Sequence, residues 1–166
     1  FLGAVGDDPF GRLLRRTLAV NGVDVRGVVT VPQPTAVAFV ALTEGGEREF
    51  MFYGKPAAHD RLTAADVDAF LATRPFTAGD VIHLGSNCLI HGQARDASHR
   101  AVAAATAAGA AVSFDVNLRL ALWDRPAQAE VRAVIQPILY AARLVKLSLD
   151  ELEYLTGGRS HTDALA

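Results

Sequence analysis

The spacing of apolar residues changes along this chain, and each change predicts a different kind of element. Phe1-Leu2-Gly3-Ala4-Val5 is apolar without interruption and reads as a short buried strand. In Gly6-Asp7-Asp8-Pro9-Phe10-Gly11, Asp8 suits a helix N-cap and Pro9 the first helical position. Phe10, Leu13, Leu14, Thr17 and Leu18 then recur at helical spacing until Asn21-Gly22 ends the run. The paired aspartates also admit a metal-binding reading, which competes with the capping task of Asp8.

From Val28 to Tyr53 the period becomes that of strands. Val28–Val31, Thr35–Thr43 and Glu47–Tyr53 are rich in Val, Phe, Thr and Tyr, and Glu44-Gly45-Gly46 joins the last two. This block has no helices of its own, so a small sheet set apart from the main layer is expected. Phe39, Phe50, Phe52 and Tyr53 serve either packing or binding there. Gly54–Arg61 reads as a loop. Thr63 and Asp66 then have capping-box spacing, with Leu62 and Val67 as a staple, and the helix they open runs to about Thr73.

Strand and helix alternate from there on. Asp80–Gly85 is a strand, Gln93 to Ala108 an alanine-rich helix closed by Gly109, and Ala111–Val116 a strand. The helix after Pro126 presents Val131, Val134, Ile135, Ile138 and Leu139 on one side, and Pro137 should split or kink it. Arg143–Leu147 is a strand, followed by a short helix from Ser148 to Gly158. Such alternation implies a parallel sheet with right-handed crossovers. Two apolar strands therefore end in polar clusters, and ligands of open α/β sheets bind beyond the carboxyl ends of the strands. Asp115, Asn117, Arg119 and Glu151 meet there if the two strands lie near one another.

Composition narrows the function. The chain has 166 residues, 51% apolar and 20% charged, an ordinary globular profile with room for one core. A net charge of −2 gives no footprint for nucleic acid or an acidic membrane surface. Cys88 is the single cysteine, so no internal disulfide forms, and a reducing compartment fits. No apolar run approaches the ~20 residues that span a bilayer. The start at an apolar Phe1 and the new helix foreshadowed after His161 suggest a fragment. No P-loop, Gly-rich dinucleotide fingerprint or Cys/His metal spacing is present, and the histidines at 59, 83, 91, 99 and 161 are scattered.

Ser113-Phe114-Asp115-Val116-Asn117-Leu118-Arg119 followed by Leu122-Trp123 resembles the strand end of ribokinase-like (PfkB-type) sugar kinases, notably their fructokinase-like branch. Residues 6–11 through Asn21-Gly22-Val23 resemble that family's Gly-Asp-Asp-x-Phe-Gly helix, and Thr35–Tyr53 its lid sheet. Lys146-Leu147-Ser148-Leu149-Asp150-Glu151 through Gly157 resembles its Asn-x-x-Glu motif in a form with Ser for Asn. The resemblance implies a three-layer ribokinase-like α/β fold, present in part, with a small β-sheet lid over the sugar. It divides the chain into a core of residues 1–27 and 54–166 and a lid of residues 28–53. It also implies transfer of the γ-phosphate of ATP to a sugar hydroxyl, with Mg²⁺, in a cytoplasmic enzyme.

On that resemblance Arg119 and Asn117 serve the phosphates of ATP, and Asp115, Phe39 and Tyr53 the sugar. Glu151 then faces the metal through bound water, although Ser148 and Glu151 also form a capping box that explains both residues structurally. The sequence departs from the family at Val116, where Pro is usual, at Gly54, where Arg is frequent, and at His59, where Asp is common. The family's sugar-binding Asp and Gly-Gly segment is not in these residues. Its Gly-Ala-Gly-Asp stretch, which carries the anion hole and general base, is also not among them. The expectation is therefore a central fragment that is inactive alone. Alternatives are a non-catalytic paralogue that dimerises through the lid sheet, or a PfkB-type kinase for keto-deoxygluconate, ribose or a nucleoside. A nucleotide-sugar or NAD-binding protein is disfavoured by the missing glycine fingerprint.

Overall fold

A run of alternate buried residues, Val112, Phe114 and Val116, builds the centre of the molecule. They lie along strand β6 (Ala111–Asp115) and its exit, and pack against Val102 of helix α3 (Gly92–Ala107). Val131, Ile135 and Ile138 of helix α4 (Gln128–Ala141) complete the contact, with Leu89 and Trp123 at its rim. In this computed structural model the described residues are 1–43, 45–46, 48–54, 56–123 and 128–158. The expected roles of Glu44, Glu47, Pro126 and the helix start after His161, and the side-chain packing of Phe50 and Phe52, lie outside what is described.

Strands β5 (Val81–Gly85), β6 and β7 (Leu144–Lys146) form one parallel sheet in that order. Strands β1 (Gly3–Gly6) and β2 (Val28–Val31) form a second parallel pair. Strands β3 (Val37–Leu42) and β4 (Arg48–Tyr53) make an antiparallel hairpin. The strand before the hairpin, grouped with it from sequence, is thus corrected: Val28–Val31 belongs beside β1. Alternation alone cannot say which partner a strand takes, because pairing is decided by the crossover helix α1 (Pro9–Val20) that delivers it. The part that stands apart is the hairpin.

Local signals placed the helices well. Asp8 caps α1 by accepting from Gly11 N–H at 2.7 Å, and its second oxygen accepts from Thr35 N–H at 2.7 Å. Helix α2 (Ala64–Thr73) opens on the expected Thr63–Asp66 capping box. Helix α4 runs through Pro137 as one helix, so the expected split does not occur. The proline costs the missing N–H but leaves the apolar side of the helix seated on β6. Helix α5 (Leu149–Thr156) starts at Ser148 and ends at Gly157 with φ 77°, a left-handed cap. Arg132 of α4 donates twice to Tyr154 C=O, which fastens α5 to α4.

Candidate functional site

The strands β5, β6 and β7 end level, so that Gly85, Asp115 and Lys146 lie side by side. Lys146 Nζ donates to both carboxylate oxygens of Asp115, at 3.1 and 3.2 Å. The Lys146 side chain is 78% exposed and that of Asp115 26%, so a solvated ammonium reaches a more fixed carboxylate. A pair this exposed contributes only about 0–1 kcal/mol to stability. Its consequence is a charge arrangement at the strand ends.

Beyond Asp115 the chain turns sharply. Asn117 has φ 36°, the one non-glycine residue with positive φ among the described residues. Asn tolerates this region better than bulkier side chains do. The fully buried Ser86 donates its hydroxyl to Asn117 C=O at 3.4 Å. Leu118 N–H donates to Glu151 Oε1 at 2.6 Å, while Glu151 Oε2 accepts Ser148 N–H at 2.8 Å. Glu151 N–H in turn donates to Ser148 Oγ at 3.2 Å. The box that starts α5 therefore also clamps the elbow after β6. Val116, where the related kinases usually have proline, uses its N–H to reach Lys146 C=O at 2.9 Å. A proline has no such donor.

Arg119 precedes a 3-10 turn at Leu120–Leu122 and is exposed. Its guanidinium makes no hydrogen bond or ion pair among the described residues, so its donors face solvent beside the elbow. Trp123, 6% exposed, anchors the far end of the turn in the core. Phe39 and Tyr53 meet edge to face on the hairpin, with ring centroids 5.4 Å apart. Among the described residues no hydrogen bond, ion pair or ring contact joins either of them to the elbow. The structure thus unites Asp115, Asn117 and Glu151, keeps Arg119 next to them along the chain, and leaves Phe39 and Tyr53 apart.

Two participants were not foreseen from sequence. Lys146 stands in the expected strand and opens the Lys146–Glu151 motif without a role of its own, yet it is the charge at the carboxyl end of β7 and lies in register with Asp115. Ser86 follows the end of β5, and its partner is a backbone carbonyl 31 residues away. Other polar groups have local duties. Cys88 donates to Gly85 C=O, and burial pushes its thiol pKa up. His83 Nδ1 lies 3.0 Å from Ser113 Oγ, and His59 and His91 flank the buried Asp60.

A parallel sheet with a clamped polar elbow beyond its strand ends defines an open α/β protein, a class whose ligands bind beyond the carboxyl ends of the strands. The chain belongs to the pfkB family of carbohydrate kinases, whose sequence pattern matches residues 1–166. Among its relatives, fructokinase-1 of Oryza sativa subsp. japonica is 48% identical over 158 residues, covering 95% of this chain and 47% of that protein. Fructokinase from Vibrio cholerae O395 in its apo form is 36% identical with a TM-score of 0.86, covering 99% of this chain and 54% of that one. The form of that enzyme with fructose, ADP and a calcium ion gives a TM-score of 0.84 and covers 51% of that chain. The chain spans about half the length of the curated relatives it matches.

Proposed function

We propose that these residues are the central part of an ATP-dependent sugar kinase of the fructokinase type, which transfers the γ-phosphate to a sugar hydroxyl. The observation that carries this reading is the elbow itself, a left-handed Asn117 between a strand-end carboxylate and an exposed Arg119, held by Glu151. The sugar- and ADP-bound fructokinase of similar fold supports the ligand class. Phosphoryl transfer rests on positioning and on neutralising charge, and Arg119 offers a planar donor set that can hold two phosphate oxygens. Asn117 assists at the phosphates, and Asp115 shapes the sugar side. Phe39 and Tyr53 would contact the sugar when the hairpin covers it.

The residues fit Mg²⁺ in one particular way. Each oxygen of Glu151 accepts one backbone N–H and retains acceptor capacity, which suits a metal held through its own water. The metal, when bound, would neutralise phosphate charge. No residue of this chain is assigned as the general base, and the Gly-Ala-Gly-Asp stretch expected to carry it is not among these residues. A cytoplasmic setting belongs to the same reading.

A second reading concerns assembly. Phe39, Val40, Leu42, Met51 and Tyr53 are 51–73% exposed on the hairpin, which suits a homodimer formed through it. The kinase reading is tested by ADP release from the full-length protein with ATP, Mg²⁺ and a panel of fructose, ribose, keto-deoxygluconate and adenosine. Turnover with fructose well above the others supports it, and no ADP release with any acceptor refutes it.

A further inference from the structure

We propose that Arg132, on helix α4, is a positioning residue for the elbow after β6, acting through helix α5 and Glu151 rather than on the elbow directly. Its guanidinium donates from Nε and Nη2 to the single carbonyl of Tyr154, at 3.1 and 2.8 Å, and Gln128 Nε2 donates to the same oxygen. The last four carbonyls of a helix lack partners within it, and a cation at that end also answers the negative pole of the helix dipole. In α5 the left-handed cap uses the N–H groups of Gly157 and Gly158 on Glu153 C=O. Tyr154 C=O is completed from α4 instead. The guanidinium lies directly against the cap, because a Cβ on Gly157 would come within 2.8 Å of Arg132 Nη2. Gly157 is thus required twice, by its φ of 77° and by the seat of Arg132.

What depends on this cap is the place of Glu151. Helix α5 has eight residues, none of them buried. A helix shorter than about 12 residues is marginal on its own hydrogen bonds, so its ends must be held from outside. The C-terminal end is held by Arg132 and Gln128, with Tyr154 and Leu155 packed at the edge of the main cluster. The N-terminal end carries the box of Ser148 and Glu151. Glu151 and Tyr154 stand three residues apart, neighbours on one helix surface, so a displaced Tyr154 carbonyl moves Glu151 within a single turn. Glu151 Oε1 in turn accepts Leu118 N–H at 2.6 Å, between Asn117 and Arg119. A continuous line of contacts therefore runs from α4 through Tyr154 and Glu151 to the elbow. The consequence for turnover rests on the kinase reading above, whereas the hold on Leu118 does not.

Amide hydrogen exchange of the full-length protein, read residue by residue by NMR, separates this role from plain support of the fold. In Arg132→Met the Leu118 amide should exchange at least about tenfold faster, while that of Phe114 in the buried centre of β6 stays within about twofold. Arg132→Lys, which keeps a cation and a donor, should restore most of the protection. In a Glu151→Ala background, Arg132→Met should change Leu118 exchange by less than about twofold, because the line is already cut. Equal acceleration at Leu118 and Phe114 marks a general loss of stability and overturns the proposal. An unchanged Leu118, or full additivity with Glu151→Ala, also overturns it. Gln128→Ala removes one donor from an exposed position, where folding is not at stake. It should accelerate Leu118 selectively by about threefold, and no acceleration there counts against the proposal. With ATP and fructose, Arg132→Met should lower kcat about tenfold and leave the fructose KM within about twofold. A raised fructose KM with unchanged kcat contradicts the proposal. No ADP release from the parent protein would refute the kinase reading and leave the exchange rates to decide on Arg132.

Discussion

Both carboxylate oxygens of Glu151 are engaged by backbone amides, one on each side of the site. Replacing it by alanine strands Leu118 N–H and removes half of the capping box at once. Glu151→Ala should therefore cost about 1–2 kcal/mol in urea unfolding of the full-length protein. Glu151→Gln, which keeps one acceptor oxygen, should cost less. Equal losses in the two variants would show that the carboxylate pair is not what holds the elbow. The cap was legible in the sequence, because Ser148 and Glu151 stand three apart before an apolar run. Its second duty was not, because Leu118 lies 33 residues away and no local pattern announces that meeting. The same holds for Lys146 against Asp115, a pair that only strand register creates.

At the scale of elements, helix α1 is set on β1 through two glycines and an aspartate. A Cβ on Gly11 would lie 2.1 Å from Gly6 C=O, so Gly11→Ala must push the helix off the strand. The expected loss is about 1–3 kcal/mol by thermal unfolding, and an unchanged midpoint would deny the close approach. The Gly-Asp-Asp-Pro-Phe-Gly stretch is thereby explained without a metal. Asp8 is held below its ordinary pKa first by Thr35 N–H and next by Gly11 N–H. Asp80 is lowered to about 2, chiefly by the Arg74 guanidinium and then by Thr77 N–H. A carboxylate lowered in the folded state stabilises above its unfolded pKa of 3.8, and that contribution fades as pH falls toward 2. Stability should thus decline between about pH 4 and pH 2, and Asp80→Asn should flatten part of that slope. An identical pH profile in the variant would remove Asp80 from the account. Helix ends were readable from sequence because caps are local, whereas the partner of Val28–Val31 was not, because strand pairing is decided across a crossover.

Among the described residues packing is concentrated in a large cluster around β6 and α4 and a smaller one between α2 and α3, and other apolar surface is left open. Ile135 is fully buried between α4 and β6, and Ile135→Ala should cost about 2–5 kcal/mol in urea unfolding of the full-length protein. A loss below about 1 kcal/mol would place the core elsewhere. Phe10, Leu13 and Leu14 of α1 recur at the expected helical spacing, yet are 46–59% exposed. Val81 and Leu144 are 64% and 65% exposed. The sequence pattern marks such residues for burial but cannot name what buries them. The family could be read because its motifs stand in order along the chain. The lack of a direct contact between the hairpin aromatics and the elbow could not, since strand pairing places the hairpin by long-range contacts. The central claim is that Arg119 serves the transferred phosphate, and turnover of the full-length Arg119→Ala variant with ATP and fructose tests it most directly. A fall of at least about 10²-fold with an unchanged unfolding midpoint is the predicted result. Near-normal turnover in a folded variant would contradict the account.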